Sequence, residues 1–296
     1  MGDNDFILDG IRWSYSSVST YDSCPQAFKY LYLDVLPRAD NAFAEWGTLM
    51  HSIMERYFKG ELEFYELSEA YEQEYDKSVK SPFPPNKFVD LAESYHKKGR
   101  DYLDHFDGIF NDCKVVGVEE RVEMDINGYP FVGVIDLLLK DTDGEYIVAD
   151  HKSKSKFNND AEKAEYARQL YLYAHYVKEK FGRWPKMLAF HMVRNNGELV
   201  KIPFNIEDAI KAARWFATTI DQIYKDERFI STPDVIHREM DGLKMGFDMG
   251  QIGFGAYTKE KKKLITNLNG MKFYCEELCS AREFCEYGRS SKSSVT

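Results

Sequence analysis

The stretch that most restricts how this chain can fold runs from 115 to 156. VVGVEERVEMDI (115–126), YPFVGVIDLLL (129–139) and EYIVAD (145–150) are rich in β-branched, aromatic and apolar residues. Asn127-Gly128 and Asp143-Gly144 separate them. Both dipeptides reach positive φ at low cost, which makes them tight-turn signals between antiparallel strands. A second strand pair is predicted at 187–193 and 198–204 across Asn196-Gly197, with a helix over about 161–181 joining the two groups. Another helix is predicted at 206–228. Ahead of the strands, segments 16–34, 42–59, 61–80 and 86–110 space apolar residues at helical period, and the breaker Ser81-Pro82-Phe83-Pro84-Pro85 parts the last two. Residues 240–270 are Gly-rich and expected to be irregular, leading into the basic run Lys259–Lys263. The tail RSSKSSVT is expected to fray. The expected fold is α/β, a mixed central sheet flanked by helices. Three regions follow: an N-terminal helical part (1–113), a core (114–230) and a C-terminal segment (231–296).

Asp136 interrupts an otherwise apolar strand. Asp150 ends the next strand, and Lys152 follows two residues later. Pairing the two strands brings Asp136 and Asp150 side by side, and a period of two puts Asp150 and Lys152 on one face. Burying unpaired carboxylates is expensive. Two of them beside a lysine make chemical sense around a divalent cation with hard oxygen ligands, Mg²⁺ or Mn²⁺. Such an ion would activate water against a phosphodiester, and Lys152 would orient that water or stabilise the charge that develops. A simple strand-end ion pair between Asp150 and Lys152 is the plainer alternative.

Composition narrows the partners. With 39 Lys+Arg against 49 Asp+Glu the net charge is −10, so bulk positive charge cannot carry nucleic-acid binding, although a local basic path can. Lys154 and Lys156 adjoin the Asp/Lys hairpin and are expected to contact nucleic acid; Lys259–Lys263 could extend that path. No run approaches the ~20 apolar residues of a membrane span, and MGDNDFILDG has no signal-peptide character. A soluble, cytoplasmic protein is expected.

The motifs together resemble the PD-(D/E)xK nuclease superfamily, in particular its RecB-like branch. Gly133-Val134-Ile135-Asp136 matches Gly-x-x-Asp, and Asp150-His151-Lys152 matches (Asp/Glu)-x-Lys. Gln169 and Tyr173 match Gln-x-x-x-Tyr on the helix after the catalytic strands. His51, in WGTLMHSIMERYF, matches an upstream histidine ligand. The resemblance implies a three-layer restriction-endonuclease-like core. It also implies metal ligation by His51, Asp136, Asp150 and the His151 backbone carbonyl, and catalysis by Lys152 with Gln169 and Tyr173 in support. An imidazole ligand would tilt preference toward Mn²⁺. Glu119 resembles an acidic residue found on the first core strand of such proteins.

Cys275, Cys279 and Cys285 crowd into eleven residues, and Cys24 lies far upstream. An odd total of five, with Cys113, does not suggest a disulfide framework in an intracellular chain. Four thiolates suit an iron–sulfur cluster or Zn²⁺. The pattern resembles the iron–sulfur subset of RecB-like nucleases, the AddB-type and CRISPR-associated exonucleases, in which one Cys precedes the core and three follow it. That resemblance implies a [4Fe-4S] cluster, although the first C-terminal gap is three residues where that family usually has two. It further implies exonuclease action on single-stranded ends or linear duplex DNA, with a helicase, recombination or CRISPR partner. The length also suits phage or prophage members. Two alternatives keep the same fold: a non-catalytic DNA-binding or assembly protein, and a redox-responsive regulator.

Overall fold

The structure, a computed structural model, describes residues 5–289. Apart from Arg289, the tail expected to fray lies outside the described residues. Helices α1 (Asp5–Asp9), α2 (Tyr15–Ser23), α3 (Pro25–Phe28), α4 (Ala42–Phe58), α5 (Leu67–Ser78) and α6 (Leu91–Asp104) precede strands β1 (Lys114–Ile126), β2 (Tyr129–Lys140) and β3 (Tyr146–Lys152). Then come α7 (Asp160–Phe181), β4 (Met187–Met192), β5 (Glu198–Pro203), α8 (Ile206–Lys225), α9 (Thr232–Asp248), α10 (Phe254–Phe273) and α11 (Glu286–Arg289). No described helix is long and apolar enough to cross a membrane.

The chain divides into two compact units. Among the described residues, one holds 12–15 and 41–218; the other holds 5–11, 16–40 and 219–289. The first contains a five-stranded sheet in the order β1-β2-β3-β4-β5. The β1/β2, β2/β3 and β4/β5 pairs are antiparallel, and β3/β4 is parallel. A parallel pair needs a long crossover, and α7 supplies it. Asn127 (φ 53°) and Gly128 (φ 90°) make the two-residue turn between β1 and β2, whose last pair is Ile126↔Tyr129.

His151 and Lys152 are neighbours in β3, so their side chains leave opposite faces of the sheet. The Phe58 ring of α4 stacks on His151 at 5.9 Å, and Gln169 of α7 accepts a hydrogen bond from Lys152. Helices therefore cover both faces, giving three layers. On the α4 side, Leu137, Leu139, Ile147, Ala149 and Ala189 form an apolar layer against Phe58. Beyond it, α4, α5 and α6 enclose Trp46, Met50, Ile53, Met54, Tyr71 and Tyr95. Each such buried side chain contributes roughly 1.5–3 kcal/mol. The polar ends of the aromatic pair are matched: Trp46 Nε1 donates to Tyr71 Oη at 3.0 Å.

Helix α7 is fixed by its ends. The Asn159 side chain caps it by accepting from the Glu162 N–H at 2.9 Å. Acidic residues fill its first turn and lysines its last, and Gly182 closes it at φ 75°. Replacing Asn159 by alanine is expected to cost about 1 kcal/mol in urea unfolding, with Asn159→Asp restoring most of it.

The terminal unit corrects one sequence expectation. Residues 240–270 are mostly helical, in α9 and α10, and only the connection 249–253 is irregular. The overlooked signal is Ser231-Thr232-Pro233-Asp234. Ser231 Oγ accepts from the Asp234 N–H at 3.1 Å, and Pro233 sits in the first turn. Gly246 is a packing glycine within α9: a Cβ there would lie 2.8 Å from Ile252 Cδ1. Only Gly250, in the connection, needs a positive φ, 74°.

Candidate functional site

The β2/β3 register pairs Leu137 with Ala149, which sets Asp136 across from Asp150. Asp136 is half-buried and Asp150 buried. Asp136 Oδ2 accepts the His151 backbone N–H at 2.8 Å and lies 3.4 Å from His51 Nδ1. Burial, then the negative charge of Asp150, pushes the Asp136 carboxyl well above the usual range. Burial lowers the His51 imidazole, against an opposing pull from Asp150. Asp150 Oδ2 is buried and 2.7 Å from Lys152 Nζ, but this charge contact lacks hydrogen-bond geometry. Lys152 Nζ donates to Gln169 Oε1 at 3.1 Å, and Gln169 Nε2 donates to Tyr173 Oη at 3.1 Å. The residues at i and i+4 of α7 thus form a short chain ending on the lysine.

Glu119 joins this group more closely than the sequence indicated. Its carboxylate, His51 and Asp136 each bring a ligand atom to within 4.8 Å of the other two. Two carboxylates and one imidazole are a donor set suited to Mn²⁺ or Mg²⁺. Glu119 lies between the pairs Val118↔Leu137 and Glu120↔Ile135 and has φ 50°. A left-handed non-glycine residue inside a strand is strained, and such strain concentrates at functional sites. The facing strand is irregular too. Gly133 meets Tyr173 of α7, while Leu137 packs on the α4 side. Residues of the same parity in a regular strand would share a face, so the alternation breaks between them, around Asp136. No spacing rule announces this break.

The His151 side chain turns inward: its Nδ1 lies 2.7 Å from His191 Nδ1, and His191 Nε2 lies 2.5 Å from Tyr102 Oη. Burial drives His151 well below its ordinary value and His191 to about 3, so both rings stay neutral. Lys154 is held by Glu162 at 2.5 Å, and Lys156 is exposed. Lys259–Lys263 lies on α10, in the terminal unit.

Gly133 is a test of the support chain. A Cβ there would sit 2.6 Å from Tyr173 Cε1. Gly133→Ala is expected to displace the Tyr173 ring, loosen Gln169 and lower turnover about tenfold, measured alongside a thermal melt to separate misplacement from unfolding.

Within the terminal unit, Cys24, Cys275, Cys279 and Cys285 line one small cavity. Cys24 caps α3, and the other three lie on the turns around 274–289. Hydrogen bonds join the two segments: Ala39 N–H donates to Ser280 O at 2.8 Å, and Arg282 donates to the carbonyls of Ala39 and Asp40. Burial raises the thiols of Cys279 and Cys285, and that of Cys275 to about 12. No three of the four sulfurs come within 4.8 Å of one another among the described residues. Four converging thiols are a donor set that suits Zn²⁺ or an iron–sulfur cluster. Cys113 lies apart, in the sheet-bearing unit.

The family model of the PD-(D/E)XK nuclease superfamily matches residues 12–234. A solved protein from Eubacterium rectale, provisionally designated an exonuclease, is similar at 9% identity over 76% of this chain and 85% of its own, with a TM-score of 0.45. No curated protein sequence matches. The matched span contains His51, Glu119, Asp136, Asp150, Lys152, Gln169 and Tyr173, and the chain belongs to the PD-(D/E)XK nuclease superfamily.

Proposed function

We propose that the protein is a Mn²⁺- or Mg²⁺-dependent deoxyribonuclease of the RecB-like branch, acting as an exonuclease on linear DNA. The observation that carries this reading is the meeting of Asp136, Asp150 and Lys152 on paired strands, with the lysine amine held by Asp150 and Gln169. His51, Glu119, Asp136 and Asp150 would hold the ion, with the His151 carbonyl as a further donor. When bound, the ion lowers the pKa of water and offsets charge on the phosphoryl oxygens. The protein's own contributions are positional. Lys152 directs its ammonium at the reacting phosphate or water. Gln169 and Tyr173 fix the lysine's reach, and the His191–Tyr102 pair holds the His151 ring, keeping β3 in register behind Asp150. Asp136 commits one oxygen to the His151 amide, which orients its carboxylate.

Cys24, Cys275, Cys279 and Cys285 would hold a [4Fe-4S] cluster whose role is to tie the two chain ends together. Unwinding of duplex would fall to a separate helicase partner.

The test is a time course on end-labelled linear DNA and closed circular DNA, single- and double-stranded. Loss of linear substrate with intact circles supports an exonuclease, and the label gives its polarity. Cutting of circles would make it an endonuclease. Binding without cleavage of either would favour the assembly role.

A further inference from the structure

We propose that a cavity between α7 and α8, with Ile202 of β5 in its wall, holds a backbone phosphate of the nucleic-acid strand on which the nuclease acts. The cavity encloses about 410 Å³ and is lined by Lys163, Arg168, Tyr171, Asp208, Lys211 and Trp215 among others. That volume falls within the range of small-ligand sites. It arises because alanines stand on both facing helices at this level, Ala164 and Ala167 opposite Ala212.

Its charge is the inverse of the molecule's. The chain carries −10 overall, yet the lining of this cavity brings Lys163, Arg168 and Lys211 together with Asp208, and Asp160 stands beside Lys163. Such a local inversion attracts polyanions despite an unfavourable total charge. The cations are also prepared for an anion. The Arg168 guanidinium sits 4.8 Å over the Trp215 ring, and the Tyr15 ring lies 5.9 Å from Trp215, so the planar fork is supported by aromatic packing. Lys163 and Lys211 each contact an aspartate one turn earlier at 2.9 Å, Asp160 and Asp208. Such exposed pairs are worth less than about 1 kcal/mol, so exchanging the carboxylate for a phosphate costs little.

The link to the reaction runs along α7. Arg168 directly precedes Gln169, whose Oε1 holds Lys152. One turn of the helix thus serves the catalytic amine with one residue and the cavity with the next. A strand whose scissile phosphate meets Lys152 would lay a neighbouring phosphate over Arg168. This inference rests on the nuclease reading for the identity of its ligand, but its test does not use cleavage.

The test measures binding of a fluorescent single-stranded oligonucleotide to the full chain, carrying Lys152→Ala throughout to silence cleavage, across a series of salt concentrations. Removing one cation that neutralises a phosphate should flatten the slope of log K against log salt by about 0.7. Arg168→Gln, and separately Lys163→Gln with Lys211→Gln, should show this flattening with a three- to tenfold weaker affinity. Lys178→Gln, elsewhere on α7, removes the same charge and should change neither. Oligonucleotide should also alter tryptophan fluorescence in the parent, and Trp215→Phe should remove that change. Unchanged slopes in the cavity variants, equal flattening in Lys178→Gln, or no binding by the parent would each overturn the proposal. So would a fluorescence change produced by inorganic phosphate or a nucleoside monophosphate alone, with oligonucleotide slopes unaffected. Failure of the nuclease reading would appear instead as protein with Lys152 intact that binds the oligonucleotide but never cleaves it, and would leave these slopes readable.

Discussion

Lys152→Ala is expected to lower single-turnover cleavage by about 10²–10³-fold, the effect of removing one preorganised charged donor from a reacting centre. The structure gives the reason for so large an effect. The ammonium is fixed from two sides, by Asp150 at 2.7 Å and by Gln169 at 3.1 Å, so little reorganisation is needed when charge develops. The same variant leaves Asp150 buried without its counter-ion, and breaking a buried pair can cost about 3–5 kcal/mol. A thermal melt therefore accompanies the kinetics. Lys152→Gln, which keeps a donor but not the charge, should retain the fold and still lose most activity. Gln169→Ala should have a smaller effect, about tenfold, because it loosens the amine without removing it. Equal activity in parent and Lys152→Ala would take the lysine out of the mechanism.

Serine at Cys24, Cys275, Cys279 or Cys285 is expected to abolish the visible absorbance of anaerobically prepared protein and to destabilise the terminal unit by about 3–5 kcal/mol. Bound metal contributes folding free energy outright where the ligands are otherwise scattered. Cys24 and Cys285 are separated by most of the sequence, so a cluster between them closes a very long loop. At about 2–4 °C per kcal/mol the melting temperature should fall by roughly 6–20 °C. Cys113→Ser should leave the absorbance intact, since that thiol lies in the other unit. Zinc rather than iron in the purified protein would keep the tie and discard the cluster. A loss confined to one of the four variants would discard the four-cysteine centre.

Much of this was legible in the sequence because it is encoded locally. Asn127-Gly128 fixes a two-residue turn by the φ values it permits, and the β1/β2 register follows from it. Asp150 and Lys152 share a face by strand period alone, and Gln169 and Tyr173 by helix period. The features that the sequence left open depend on long-range packing. Glu119 reaches His51 and Asp136 only because its backbone turns left-handed within β1, which no residue type at that position signals. The inward turn of the His151 ring needs His191 and Tyr102, 40 and 89 residues apart in their respective pairings. The helices α9 and α10 were obscured by glycines, which lower helix propensity by about 1 kcal/mol each without forbidding it. There the cap at Ser231 and the Gly246–Ile252 contact outweigh propensity.

The most direct measurement is release of labelled nucleotides from linear DNA by chelator-stripped protein, with Mn²⁺ or Mg²⁺ added back, run beside Asp136→Asn. No release without the ion, recovery with it, and none from the variant at any concentration is the expected result. Cleavage that persists in chelator, or equal cleavage by Asp136→Asn, would contradict a metal-dependent centre built on Asp136 and Asp150.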